Sequence, residues 1–386
     1  MQTERKSGLS KFLVLWEGTD RVILLLTGAL ITIGIVLIFA TSVGIHPDSS
    51  SNGLYYVSRH FIHLFIAVLI IGSIPHISIL WIRRGAVLAF FPLLISLMML
   101  PVWGTDFTKG SIRWYYLFDR ISVQPVEFLK IALVIVNSWL MSAPCPRSRY
   151  HLHLGVLVSL ILSGVIAGML ILQPDYGQAV LIMFTWGILF VIWGGNALLV
   201  MLFVMAMIFL LLVAYILSPH VANRFNLLIE NLLDSAKQNS APNQIDFSEN
   251  AIMNGGFFGV GPGEGTVKNY LPDAHTDFIF AVGAEEYGFI FSFVIIFLYT
   301  CIGLRILWKL WFNDKMFVRI TGIGLISMIC VQGYGNIAVN LGLLPPKGIT
   351  LPFISYGGSS LISTAIAMGV IIALLRQCNT NDYRII

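Results

Sequence analysis

The feature that most constrains this chain is a succession of apolar runs, each long enough to cross a bilayer. About 20 apolar residues span the hydrocarbon core as a helix, and such runs recur from Val22 to Arg376. Lipid offers the backbone no hydrogen-bond partners, so a spanning run must close its own bonds as a helix. The 386 residues are 57% hydrophobic and 11% charged, with mean hydropathy +0.85. That composition excludes a soluble domain. The run Val22–Ile45 is too long for a cleaved signal peptide and lacks a small-residue cleavage site, so it reads as a retained span.

Ten spans fit, at about 22–45, 59–80, 84–103, 126–143, 152–173, 178–194, 196–217, 277–307, 317–341 and 354–376. The net charge is only +4, but Arg5, Lys6, Lys11, Arg21, Arg83, Arg84, Arg147, Arg149, Arg305, Lys309, Lys315, Arg319, Arg376 and Arg384 gather at both ends of the chain and in alternate loops. The positive-inside rule makes those segments cytoplasmic. The expected fold is an all-α polytopic membrane domain over residues 1–386, both termini cytoplasmic. Its external loops fall at 46–58, 104–125, 174–177, 218–276 and 342–353, and only the fourth is long. None of Cys145, Cys301, Cys330 and Cys378 lies in an external loop, so no disulfide is expected, and no cysteine–histidine spacing suggests zinc.

Chemistry must then lie in the spans and external loops. The stretch Leu271–Ile290 (LPDAHTDFIFAVGAEEYGFI) brings His275, Asp277, Glu285 and Glu286 to the mouth of an apolar run. Charge at that depth commonly faces a bundle interior or a wet cavity and is functional. Asp277 reads equally as a helix cap or as a chemical group. Glu127 and Lys130 share a helix face, as an intramembrane ion pair or as part of a substrate site. Arg59, Arg113, Lys268 and Lys347 lie towards the external side, against the charge trend. They read as scattered loop charge or as a rim for a phosphate or pyrophosphate. In Leu343–Ser360 the prolines, glycines and Ser355, Ser359 and Ser360 break the helix pattern, as irregular backbone does beside a cavity. The glycine-rich stretch Gly255–Gly265 has no preceding strand and no P-loop lysine–serine ending, which argues against nucleotide binding.

Four ordered blocks carry a resemblance over nearly the whole length: GSIRW…QPVEFLK (Gly110–Lys130), LQPDYGQA (Leu172–Ala179), the Leu271–Ile290 stretch, and LLPPKGITLPFISYGGSS (Leu343–Ser360). The chain resembles the SEDS (shape, elongation, division and sporulation) family, and the PPKG segment with Lys347 resembles its division-type branch. The resemblance implies a glycosyltransferase that polymerises lipid II at the outer face of the bacterial cytoplasmic membrane, at the division septum. Its partners would be a class B penicillin-binding protein and other division proteins, with no nucleic acid. It implies Asp277 as the catalytic carboxylate. Arg59, Arg113, Lys130 and Lys347 become pyrophosphate contacts, with Glu127, His275, Lys268, Ser355 and Ser359 as further lipid II candidates. No resident metal is expected, although magnesium or manganese would share the work on the pyrophosphate. Three departures stand out: Val126 replaces a small residue, the loop after Trp114 is longer, and a glutamine is replaced near Phe247. A lipid II transporter and a non-catalytic scaffold are the alternatives. For the partner, the expected contact runs along Ile290–Leu307 and Gly322–Gly333.

Overall fold

The computed structural model describes residues 20–43, 50–108, 111–117, 121–143, 154–217, 226, 244–345 and 348–382. Among them are ten long helices: α1 Arg21–Val43, α2 Ser50–Ser73, α3 Ile79–Trp103, α4 Pro125–Met141, α5 Leu154–Leu172, α6 Tyr176–Trp193, α7 Ala197–Leu217, α9 Ile279–Trp311, α10 Met316–Asn340 and α11 Gly358–Asp382. A shorter helix, α8 Gln244–Gly255, precedes α9. Eight of the long helices are apolar and long enough to cross a membrane. Helix α4, at 17 residues, sits at the short end of the spanning range, and α7 runs 21 residues.

Contacts mark two ends of the bundle. At one end Asp20, ahead of α1, takes Arg305 Nε at 2.9 Å and Lys309 Nζ at 2.7 Å from the end of α9. Arg376 donates to the Pro75 carbonyl at 2.9 Å, and Arg83 lies over the Trp139 ring. These are the cations assigned to the cytoplasm. At the other end lie the α3–α4, α5–α6, α8–α9 and α10–α11 connections.

Boundaries differ from expectation for local reasons. The second span runs Ser50–Ser73 rather than 59–80, because Pro75 ends it in a single 3₁₀ turn. The third span begins at Ile79 rather than at residue 84, so Arg83 and Arg84 lie about one turn inside α3, laying their guanidinium groups on Trp139 and Trp81. The α3–α4 connection is not plain loop. It forms a three-stranded antiparallel sheet of β1 Thr105–Thr108, β2 Ser111–Leu117 and β3 Ile121–Val123. The alternating Ile112, Trp114 and Tyr116 with Tyr115 are residues that favour a pleated surface, and β2 is the central strand.

Two large apolar cores fill the bundle, and a third, smaller one lies between α8, α9 and α10. The largest joins α1, α2, α9, α10 and α11 with residues of α3, α4, α5 and α6. The second joins α3, α4, α5 and α6, each of which contributes to both. Gly322 packs on Leu310, Gly324 on Leu189 and Val134, and Gly333 on Tyr299. The expected partner face along Gly322–Gly333 is therefore already filled by the chain's own side chains. On α9, by contrast, Phe293, Phe297 and Leu304 are exposed.

The glycine-rich stretch has a structural use. Gly288 breaks α9 with φ 81°, a left-handed backbone that side chains resist. A Cβ there would fall 2.4 Å from the Gly259 nitrogen. The loop lies directly on the break and repairs its hydrogen bonds: Val260 N–H donates to Glu285 O at 3.0 Å, Gly261 N–H to Glu286 O at 3.1 Å, and Phe289 N–H to Gly256 O at 2.9 Å. The Glu285 carboxylate accepts the Thr266, Val267 and Lys268 N–H groups, each at 2.9 Å.

Candidate active site

Asp277 sits two residues before α9, in a turn wound around one carbonyl. The N–H groups of Thr276, Asp277 and Phe278 converge on Asp273 O at 3.0, 3.1 and 3.4 Å. Asp273 holds φ 55°, a strained value for a residue with a side chain. The N-cap of α9 is Phe278, with no side-chain cap bond, and among the described residues no donor bonds the Asp277 carboxylate. The capping role weighed for it is thus not the one it plays here.

Arg113, on the central strand of the sheet, comes within electrostatic reach of Asp277. Its Nη2 donates to Pro174 O, and its Nη1 lies 3.9 Å from Asp175. Gly348 passes beside both groups: a Cβ built there would lie 3.5 Å from Arg113 Nη1 and 3.7 Å from Asp277 Oδ2. Its φ of 64° suits glycine. Burial pushes the Asp277 carboxyl up to about 7, helped by Asp273 and Asp175 and opposed by Arg113. Burial also raises Asp175, against the pull of Arg113.

The other expected residues separate into groups. Lys130 is buried, its Nζ 2.8 Å from Glu127 and donating to Gln332 at 2.6 Å. Glu127 also accepts from Gln178 Nε2 at 2.9 Å and Ser363 Oγ at 3.1 Å. The pair is a knot joining α4, α6, α10 and α11 rather than an open contact surface. Lys268 is buried too, paired with Glu286 and donating to Ala40 O at 2.8 Å, so it anchors the loop away from Asp277. Ser355 accepts from Leu351 N–H at 2.8 Å and donates to Thr276 O at 2.6 Å. Ser359 accepts from Gln124 N–H at 3.1 Å. Both hold backbone beside the site. His275 packs on Tyr56, with ring centroids 4.7 Å apart, and burial lowers its pKa against the pull of Asp273. Arg59 is half-buried on α2 and is not among the charges acting on Asp277. Lys347 lies outside the described residues. Among those described, no three His, Cys, Asp or Glu side chains stand close enough to hold a metal.

Two features were missed. Asp175 lay in a quoted block without a role; its carboxylate caps α6 by accepting from Gln178 N–H at 3.5 Å. Gln332, Asn336 and Asn340 form an amide stripe at four-residue spacing on α10. Amides recurring on one face of an apolar helix were the available signal.

A bundle of membrane-spanning helices with a carboxylate and a guanidinium gathered at one polar end defines a polytopic membrane protein with a candidate acid–base site. A sequence model for the cell cycle proteins FtsW, RodA and SpoVE matches residues 20–380, and the chain belongs to that family. It is 34% identical to the "Probable peptidoglycan glycosyltransferase FtsW" of Caulobacter vibrioides, over 94% of this chain and 90% of that one. The Trichlorobacter lovleyi protein of the same name is 33% identical, over 92% of each. Among solved structures, a chain from a peptidoglycan synthase complex studied for the coordination of polymerization and crosslinking superimposes with a TM-score of 0.75. It is 25% identical, with 93% of this chain and 98% of that one covered. The rod shape determining protein RodA of Thermus thermophilus shares the fold, with a TM-score of 0.64 at 23% identity over 93% and 97% of the two chains.

Proposed function

We propose that this chain is a division-type peptidoglycan glycosyltransferase that polymerises lipid II at the outer face of the cytoplasmic membrane, at the septum. The observation that carries the reading is the Asp277 carboxyl, raised to about 7 and set beside Arg113 near Gly348. A carboxylate with that pKa accepts a proton near neutral pH, as a general base must. In the proposed step the acceptor's 4-hydroxyl oxygen bonds to the donor's anomeric carbon. The bond from that carbon to undecaprenyl pyrophosphate breaks, and the hydroxyl proton goes to Asp277. Arg113 faces the charge developing on the leaving pyrophosphate. A divalent cation such as magnesium or manganese belongs to the proposal only as a companion of that pyrophosphate. Lys130 and Glu127 support the wall. A class B penicillin-binding protein is the proposed partner that cross-links the product.

The test is the full chain, purified with its class B partner and given labelled lipid II in vesicles. Glycan polymer is the expected product. Movement of lipid II between leaflets without polymer would overturn the reading in favour of transport.

A further inference from the structure

We infer that Asn336 and Asn340 are positioning residues that set the Asp277 turn against the Gly348–Thr350 segment. The inference rests on the reading of Asp277 as the base. Asn336 Nδ2 donates to two carbonyls at once, Asp277 O at 2.8 Å and Ile349 O at 2.7 Å. Asn340 Nδ2 donates to the same Asp277 oxygen at 3.0 Å, and to Asn336 O at 2.9 Å. Its Oδ1 accepts from Ala281 N–H at 3.1 Å, in the first turn of α9. The Asn340 carbonyl in turn accepts from Ser248 Oγ at 2.8 Å.

The stripe continues downward. Gln332 Nε2 donates to Thr350 O at 3.2 Å, while its Oε1 accepts from Lys130 at 2.6 Å. One face of α10 thus grips the turn that carries the carboxylate and the segment that passes Arg113. Asn336 is the residue that touches both. It is 1% exposed and Asn340 is fully buried, so neither is placed to meet a substrate. Each acts through backbone that it fixes. A buried carbonyl that loses its donor moves to find another or remains unsatisfied, and the carboxylate, three bonds from that carbonyl carbon, moves with it. A displacement near 1 Å at a reacting group costs about 10²-fold in rate.

The experiment is a double-mutant cycle in the full chain with its partner, reading lipid II polymerisation with kcat and KM separated. Asn336→Ala is expected to lower kcat by about 10²-fold with KM within about twofold. In an Asp277→Asn background the same change is expected to cost little, because its effect passes through the carboxylate it positions. Equal loss in both backgrounds would overturn the inference and leave Asn336 a packing residue. A wild-type rate in Asp277→Asn alone would instead overturn the base assignment, so the two failures are distinguishable. Should Asn336→Ala not fold, Asn336→Ser enters the same cycle. Its hydroxyl satisfies one carbonyl but does not span two, and the same coupling is expected.

Discussion

Asp277→Asn is expected to lower lipid II polymerisation by about 10²–10⁴-fold, the usual contribution of a general base. The amide keeps the size of the side chain but accepts no proton. Folding is expected to survive, because the carboxylate holds no hydrogen bond among the described residues and the α9 N-cap is Phe278. Linkage sharpens the control. The folded pKa, about 7, lies above the ordinary aspartate value of 3.8. Protonated Asp277 is therefore the form the fold favours; the stability it adds is complete below 3.8 and is lost as pH rises through 7. Asn does not ionise, so Asp277→Asn should melt at or above the wild-type temperature at pH 8. A near wild-type rate in the variant would remove Asp277 from the chemistry.

The second large effect is on stability. Lys130→Ala is expected to cost about 3–5 kcal/mol, because it strands the buried Glu127 carboxylate. Glu127 would keep Gln178 and Ser363, yet it would lose its counter-ion at 2.8 Å. Four helices meet at this pair, so the loss should appear in thermal unfolding of the detergent-solubilised protein. The double change Glu127→Gln with Lys130→Met removes both charges and should recover most of the loss. An unchanged melting temperature for Lys130→Ala would contradict the reading of the pair as a structural knot.

The helical skeleton was legible because membrane burial is written as length and hydropathy, residue by residue. Each of the ten expected spans corresponds to a long helix. Their ends were less legible, since Arg83 and Arg84 can snorkel from inside a helix and Pro75 sets a boundary locally. The sheet was hidden in a loop whose pattern of Ile112, Trp114 and Tyr116 is short. Asp277 and Arg113 were singled out from charge placement and resemblance, and the structure brings them together. The same reasoning grouped Lys130 and Lys268 with them, because sequence shows that a cation lies near the external end but not which way it turns. Lys268 turns inward to Glu286 and Ala40. The roles of Asn336 and Asn340 depend on one carbonyl, that of Asp277, at sequence separations of 59 and 63, which no local pattern encodes.

The central claim, that Asp277 is the base, is tested most directly by the pH dependence of kcat/KM for lipid II polymerisation by the wild-type complex. The rate is expected to rise by about tenfold per pH unit below the inflection and to level off above it, with the inflection near the Asp277 pKa of about 7. A profile flat from about pH 5 to about pH 9, where a base of that pKa must titrate, would contradict the claim.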